Sequence, residues 1–531
     1  MTRSIFIILF IFLSTLTFAQ PQWLKGYGNE SNNYFAGMDV DPNGNIYFAG
    51  SFSDSITFDG ITALGGEYSL FIAKFNSAGE ILWLKSETSE ARYYIYDLKL
   101  TNEGGFVING SFDTGDAEFG DIVLTYSGLG NTYLTKYDAS GNAIWAITEI
   151  GFAVYENISI DSNNDIIVYG LLLGDFTFNG ELQETFGEYD IVYAKYASTG
   201  EPLWVKTMGG IGNEYPASII TDADNNIIMT GRYDSPFVYE AFLFSNYGLG
   251  DNFVMKTDAN GNPVWVNLIG SESDDSAIEG IGIGADSNLY LGVTVFNDTY
   301  VEAITIATLG LSDACLMQLN PENGTVNWYK TGGGYEYDYV NALKVAKEGI
   351  LLGGTYSGTA EFNGLQLPEA FASGYVTTYD YNGDATSVKA FFGENFIRVQ
   401  ALDIDAHGNF YVGGHFNDDI ACDGLETVSS NGGTDIFLYK ETSSLVNIDT
   451  YNENFQIELA PNPASSYINV TAGFDDLFNV NIINQQGAII MSITKVAGFC
   501  AIDVENIAAG MYFIVATTES GTITSHSFVK N

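Results

Sequence analysis

The residues with the most chemistry to offer are tyrosines set beside carboxylates: Tyr93 and Tyr94, Glu214 and Tyr215, and the run Tyr335, Glu336, Tyr337 and Asp338. An aromatic ring stacks on the apolar face of a sugar or on a partner protein, and an adjacent carboxylate accepts hydroxyl or amide protons. The competing role for these tyrosines is packing inside the fold. Signatures of catalysis are missing: the chain has no GxSxG elbow, no HExxH and no phosphate-cradling glycine loop. Its three histidines, His407, His415 and His526, suggest neither a triad nor a zinc site. His407 sits in a turn, and His415 follows a repeat glycine, from where it would reach a central channel. The turns Asp41 to Asn45, Asp161 to Asp165, Asp222 to Asn226 and Asp405 to Asn409 place oxygens as the start of a calcium loop does. No glutamate closes them, and Asp and Asn favour such turns unaided, so Ca²⁺ is weighed but no metal site is assigned. Paired carboxylates would suit glycoside cleavage, yet 66 acidic residues guarantee accidental pairs. No catalytic residue is assigned.

Such residues need a scaffold, and composition says which. Of 531 residues 46% are hydrophobic and 16% charged, enough for a substantial core. Fifty-nine glycines, ten prolines and 70 tyrosines plus phenylalanines favour strands joined by tight turns. The net charge of −47 repels polyanions, which argues against nucleic acid and anionic membrane surfaces. Cys315, Cys422 and Cys500 form no disulfide framework, and Cys422 falls where other repeats carry Phe58, Phe119 or Phe178, as a buried apolar substitute.

Repeats define the architecture. Trp23, Trp83, Trp145, Trp204, Trp265 and Trp328 stand 60, 62, 59, 61 and 63 residues apart, five of them four residues after a glycine. A second ladder runs through Gly50, Gly110, Gly170, Gly231, Gly292, Gly354 and Gly414. A third is an apolar run ending in a polar residue, from Phe71–Lys74 to Phe437–Lys440. Each unit then holds four strands, in the first unit near Phe35 to Asp41, Asn45 to Phe52, Leu70 to Asn76 and Glu80 to Lys85. Continuous apolar strands such as Ile46 to Ala49 suit sheets covered on both faces, as in stacked propeller blades. The last unit stops after its third strand at Lys440, and a spare fourth strand, Gln22 to Lys25, stands at the other end. The expected fold is all-β: a seven-bladed β-propeller over residues 20–440, closed by an N-terminal strand. The long connections between strands two and three, and between units, mark the expected working face.

The runs Gly44-Asn45-Ile46-Tyr47-Phe48-Ala49-Gly50, Phe71-Ile72-Ala73-Lys74 and Gly79-Glu80-Ile81-Leu82-Trp83 resemble the bacterial SBBP β-propeller repeats, over about residues 22 to 440. The resemblance implies a fold and little about activity.

The two ends read as addresses. Residues 1–19 have the pattern of a secretory signal peptide, with Arg3, an apolar run from Ile5 to Phe18 and small residues before cleavage after Ala19. That run is too short to span a membrane comfortably, and no later segment would. A polar linker, 441–456, precedes Pro461-Asn462-Pro463, Ala508-Ala509-Gly510-Met511-Tyr512 and the closing Val529-Lys530. These resemble the type A sorting domain of the type IX secretion system, over residues 457–531. That resemblance implies a small β-sandwich, contact with the type IX machinery, and secretion or outer-membrane surface display after both ends are processed.

The function expected is non-enzymatic binding of an extracellular glycan or protein by a monomeric propeller. The alternatives are a secreted hydrolase or lyase with acidic catalytic residues on the same face, and a structural surface or adhesin component. Three or more buried, unpaired carboxylates around a polar axial pocket would favour the enzyme. Exposed tyrosines on a shallow face would favour binding.

Overall fold

The computed structural model describes residues 22–442 and 457–530, apart from short gaps at 88, 129–130, 273–276, 348, 423, 473–476, 485–488, 509 and 519–522. The predicted signal peptide and most of the predicted linker lie outside the described residues. Up to residue 443 the chain forms one compact unit, and from 444 a second. Both are all-β, and no helix occurs among the described residues. None is therefore long and apolar enough to cross a membrane.

In the first unit the chain folds into successive antiparallel meanders. Tyr34–Val40, Ile46–Phe52, Ser69–Phe75 and Ile81–Glu87 pair in chain order. The same four-strand order recurs about every 60 residues, for example in Glu214–Thr221, Ile227–Tyr233, Asp251–Thr257 and Pro263–Ser271. In the final meander Ile397–Ile404, Phe410–Cys422 and Val428–Glu441 pair in turn. Its fourth strand comes from the start of the chain: Trp23–Tyr27 pairs with Val428–Glu441, with Trp23 opposite Lys440. The N-terminal strand thus covers an edge that would otherwise present unpaired backbone groups.

Both glycine ladders have a steric cause. A Cβ on Gly50, Gly110, Gly170, Gly354 or Gly414 would lie 1.8–2.1 Å from the carbonyl oxygen of a first-strand residue, Tyr34, Tyr94, Val154, Tyr339 or Arg398 respectively. Each of these first strands shifts register beside that contact, the bulge pressing its backbone onto the second strand. The glycines before the tryptophans act across units. A Cβ on Gly79, Gly141, Gly200, Gly261, Gly324 or Gly383 would meet Trp23, Trp83, Trp145, Trp204, Trp265 or Trp328, the indole of the preceding unit, at 2.5–3.1 Å. These glycines also need φ between +74° and +86° for their hairpin turns. The indole NH of Trp145 and of Trp265 donates to the same turns, at Ser198 O (3.2 Å) and Pro321 O (3.1 Å).

The expected long loop between strands two and three is itself folded. Ser55–Phe58 pairs with Ile61–Leu64, and Ala117–Phe119 with Ile122–Leu124. These small hairpins drive Phe58 and Phe119 into the core, where Cys422 also lies buried at the matching position. The first-to-second and third-to-fourth turns are short, and many are capped by aspartate: Asp41 Oδ1 accepts from the backbone N of Asn43 and Asn45, both at 2.9 Å.

In the C-terminal unit, Ile457–Ala460, Tyr467–Ala472 and Phe499–Asp503 form one sheet. Ile489–Ala497, Leu477–Asn484, Gly510–Thr518 and Ile523–Lys530 form another. Ile468, Val470 and Ile502 of the first share a core with Val480, Ile482, Ile514 and Phe528 of the second.

Candidate functional site

The first strands of the units surround a cavity of 460 Å³. It is polar, holding Asp39, Asp97, Lys99 and Lys344, with the carboxylate of Asp403 behind its wall. Each of these carboxylates stitches one unit to the next. Asp403 Oδ2 accepts from Val40 N (2.6 Å), Asp39 Oδ2 from Leu100 N (2.8 Å) and Asp97 Oδ2 from Ile158 N (3.0 Å). Lys344 Nζ lies 2.5 Å from Asp403, and Lys99 Nζ 3.4 Å from Asp97. Burial pushes the Asp403 carboxyl up to about 7. Burial also opposes ionisation of Asp39, but Lys344, Asp403 and Lys99 together hold its carboxyl below the ordinary range. Asp39, Asp97 and Asp403 are thus paired groups within the wall of this cavity, whereas Asp190, Glu214, Asp251, Asp313 and Asp338, elsewhere in the fold, each keep one buried oxygen without a hydrogen-bond partner.

The loop residues singled out by sequence divide by burial. Tyr93 is fully buried; its hydroxyl accepts from Glu118 N (2.8 Å) and is 2.7 Å from Ser89 Oγ, tying a small hairpin to the first strand. Glu214 and Asp338 are also fully buried. Glu214 Oε2 accepts from Gly210 N (3.0 Å) and Asp338 Oδ2 from Gly334 N (2.7 Å), so both fasten glycine turns rather than meet a ligand. Burial, with Asp190 beside it, raises Glu214 to about 8. Burial raises Asp338 to about 7, with Asp313 adding to the effect. These three residues, expected on an exposed face, lie inside the fold. Tyr94 and Tyr215 are half-buried on first strands, and Arg232 lies 6.0 Å over the Tyr215 ring.

Tyr335, Glu336 and Tyr337 are exposed, and Tyr337 lines a candidate site. A cavity of 580 Å³ is lined by Phe296, Tyr337, Tyr339, Phe371, Phe396 and Arg398, with Glu279 and Asn341 among its polar groups. Tyr337 and Tyr339 stack with centroids 5.9 Å apart and planes 4° apart, and Phe296 lies 6.1 Å from Tyr339. Phe371 is 74% exposed, Phe396 45% and Tyr337 44%. Phe371 precedes Ala372, whose φ of +44° is costly for an alanine. Sequence reasoning missed Phe296, Phe371, Phe396, Glu279 and Arg398. They lie on different strands and loops up to about 120 residues apart, so no local pattern joins them.

His415, for which a place on a central channel is one weighed role, instead joins two units. Its Nε2 accepts from Phe35 N (2.7 Å), and burial, aided by Arg398, pushes its pKa down to about 4. It is a neutral clasp between the last and first units. The aspartates of the calcium-like turns spend their oxygens on backbone N–H groups, and Asp161 also on Lys195 Nζ at 2.7 Å. Among the described residues no group of three or more His, Cys, Asp or Glu converges as a metal site would.

Residues 458–531 match the secretion system C-terminal sorting domain. The chain therefore carries a type IX sorting domain, which marks it for export to the cell surface or beyond. Curated relatives are distant: an uncharacterised WD repeat-containing protein of Acanthamoeba polyphaga mimivirus is 24% identical over 47% of this chain and 23% of its own. The regulatory protein FlaEY of Caulobacter vibrioides is 24% identical over 61% and 37%. The chain thus spans well under half the length of these relatives. Among solved structures, a polysaccharide lyase of the ulvan lyase type shares 11% identity over 77% of this chain and 97% of its own, with a TM-score of 0.42. The WD40 domain of Neurospora crassa Pan2 shares 8% over 79% and 96%, with a TM-score of 0.35. At TM-scores of 0.42 and 0.35, these likenesses carry no argument about fold or activity.

Proposed function

We propose that the exported chain is a seven-bladed β-propeller of the SBBP type that binds an extracellular glycan, without catalysing a reaction, at the aromatic cavity around Tyr337 and Phe371. Seven four-stranded blades, the last closed by Trp23–Tyr27, are supported by that strand's pairing with Val428–Glu441 and by the contact of Trp23 with Gly79 of the first blade. A C-terminal sandwich is supported by the core its two sheets share. Delivery follows from the sorting domain, with signal peptide and sorting domain removed in transit.

The observation that carries the binding reading is the exposure of Tyr337, Phe371 and Phe396 around one cavity. Rings this large are normally buried, and those left open beside polar groups fit the alternating apolar and hydroxyl faces of a sugar. The paired state of Asp39, Asp97 and Asp403 weighs against the hydrolase or lyase alternative. A glycan array probed with the purified exported chain, with and without Ca²⁺, tests the reading. Binding to a restricted set of glycans is expected, falling about tenfold on Phe371→Ala, the loss of one stacked ring. An array without binding overturns it, and shortened or unsaturated products from a bound glycan would establish the enzyme alternative instead.

A further inference from the structure

Arg398 is out of place as a structural residue. The chain carries 66 acids against 19 bases, so a carboxylate partner is readily found. The other two described arginines each have one: Arg92 lies 2.8 Å from Asp113, and Arg232 3.5 Å from Asp234. Arg398 makes no ion pair among the described residues, and its buried Nε has no hydrogen-bond partner. It lies opposite His415 in the strand pairing, next to the repeat glycine Gly414. At the matching place beside Gly50, Gly110, Gly231 and Gly354 stand Tyr34, Tyr94, Tyr215 and Tyr339. The last unit thus puts a guanidinium where four others put a phenol, and that guanidinium lines the aromatic cavity.

An unpaired arginine in a concave aromatic site is a fork of N–H donors awaiting a planar or tetrahedral anion. We infer that the cavity selects an anionic saccharide, with Arg398 taking a ring carboxylate or sulfate while Tyr337 and Phe371 hold the sugar faces. This rests on the glycan-binding reading and adds the substrate class. Two charged or titratable groups face Arg398. His415 is kept neutral by burial, so it does not compete for the anion as a second cation. Glu279 is solvent-accessible yet enclosed by its surroundings, and that enclosure raises its carboxyl while Arg398 opposes the rise. The charge of −47 does not defeat the scheme, because at physiological ionic strength charges beyond about 8 Å are largely screened, while Arg398 acts in contact.

Calorimetric titration of the exported chain with three probes decides the matter: oligogalacturonate, its fully methyl-esterified form, and a sulfated galactan oligomer. Binding of oligogalacturonate or the sulfated oligomer is expected, and the preferred one distinguishes carboxylate from sulfate as the recognised group. Neutral methyl-esterified ligand should bind at least tenfold more weakly than oligogalacturonate if carboxylate is preferred. Arg398→Gln should cost the anionic ligand at least tenfold and leave neutral sugars unaffected, whereas Phe371→Ala should weaken both. Equal binding of charged and neutral ligands, or unchanged binding by Arg398→Gln, would overturn the inference and leave the glycan reading standing. If none of these sugars and none on the array bound, both would fall. Because the esterified ligand is tested on the unaltered protein, the outcome does not depend on how Arg398→Gln folds.

Discussion

Glu214 and Asp338 show how a single carboxyl can be misjudged from sequence and what it then does for stability. Both lie in polar, tyrosine-rich segments, yet each is buried over a glycine turn beside a second aspartate. Glu214, with a folded value near 8 against an ordinary 4.5, keeps its proton in the fold after the unfolded chain has released it. Its contribution to stability is therefore present below about 4.5 and lost as pH rises through that window toward 8. Melting curves of Glu214→Gln should show a flatter pH profile, with a higher Tm than wild type at pH 8 and no gain at pH 4.5; parallel profiles would refute the assignment. The motif was visible in outline, since Gly209-Gly210 and Gly333-Gly334 each precede an acid by four residues or so. What sequence does not show is the direction that acid points. Arg398 was not legible, because its place opposite His415, where other units carry Tyr34, Tyr94, Tyr215 or Tyr339, emerges only from the strand register.

At the level of the strand and turn, spacing carried more. The tryptophan and glycine ladders follow from one repeated meander, and the strand limits near Ile46–Phe52 and Ser69–Phe75 were legible from apolar runs bounded by Asp/Gly turns. The partner of each turn glycine was not legible, because glycine and tryptophan four residues apart in sequence do not touch: each indole packs on the glycine of the following unit. The hairpins inside the supposed long loops were also hidden, their strands being only three or four residues long. Gly110→Ala sets a methyl group 2.1 Å from Tyr94 O, and either the bulge or the sheet must yield. A loss of about 2–4 kcal/mol is expected by denaturant unfolding, in the range of overpacked core sites. A loss below 0.5 kcal/mol would show that the bulge does not constrain the ladder. Removing residues 21–26 strips the edge of Val428–Glu441, where Gly26 pairs with Phe437. A markedly lower Tm and a tendency to associate through that edge are expected, and unchanged melting would count against closure by the N-terminus.

For the molecule as a whole, the proposed function assigns delivery to one unit and recognition to the other. The sorting domain at 458–531 accounts for where the protein goes and owes nothing to the repeats. Deleting Leu459 to Asn531 should leave the protein in the periplasm, as followed by cell fractionation; protein still reaching the outside would contradict the sorting role. The recognition site was only half legible, for a physical reason. A repeat fold builds its cavities from residues contributed by several units, so Phe296, Tyr337, Phe371 and Arg398 meet through the fold and not through sequence proximity. On the proposed function this cavity receives an acidic sugar. A crystal structure of the exported chain soaked with the tightest-binding anionic oligosaccharide tests it most directly. The account predicts a sugar ring stacked on Tyr337 or Phe371 with its carboxylate or sulfate within 3.2 Å of the Arg398 guanidinium, the span of a hydrogen bond. A sugar bound elsewhere on the propeller, or one whose anionic group points away from Arg398, would contradict it.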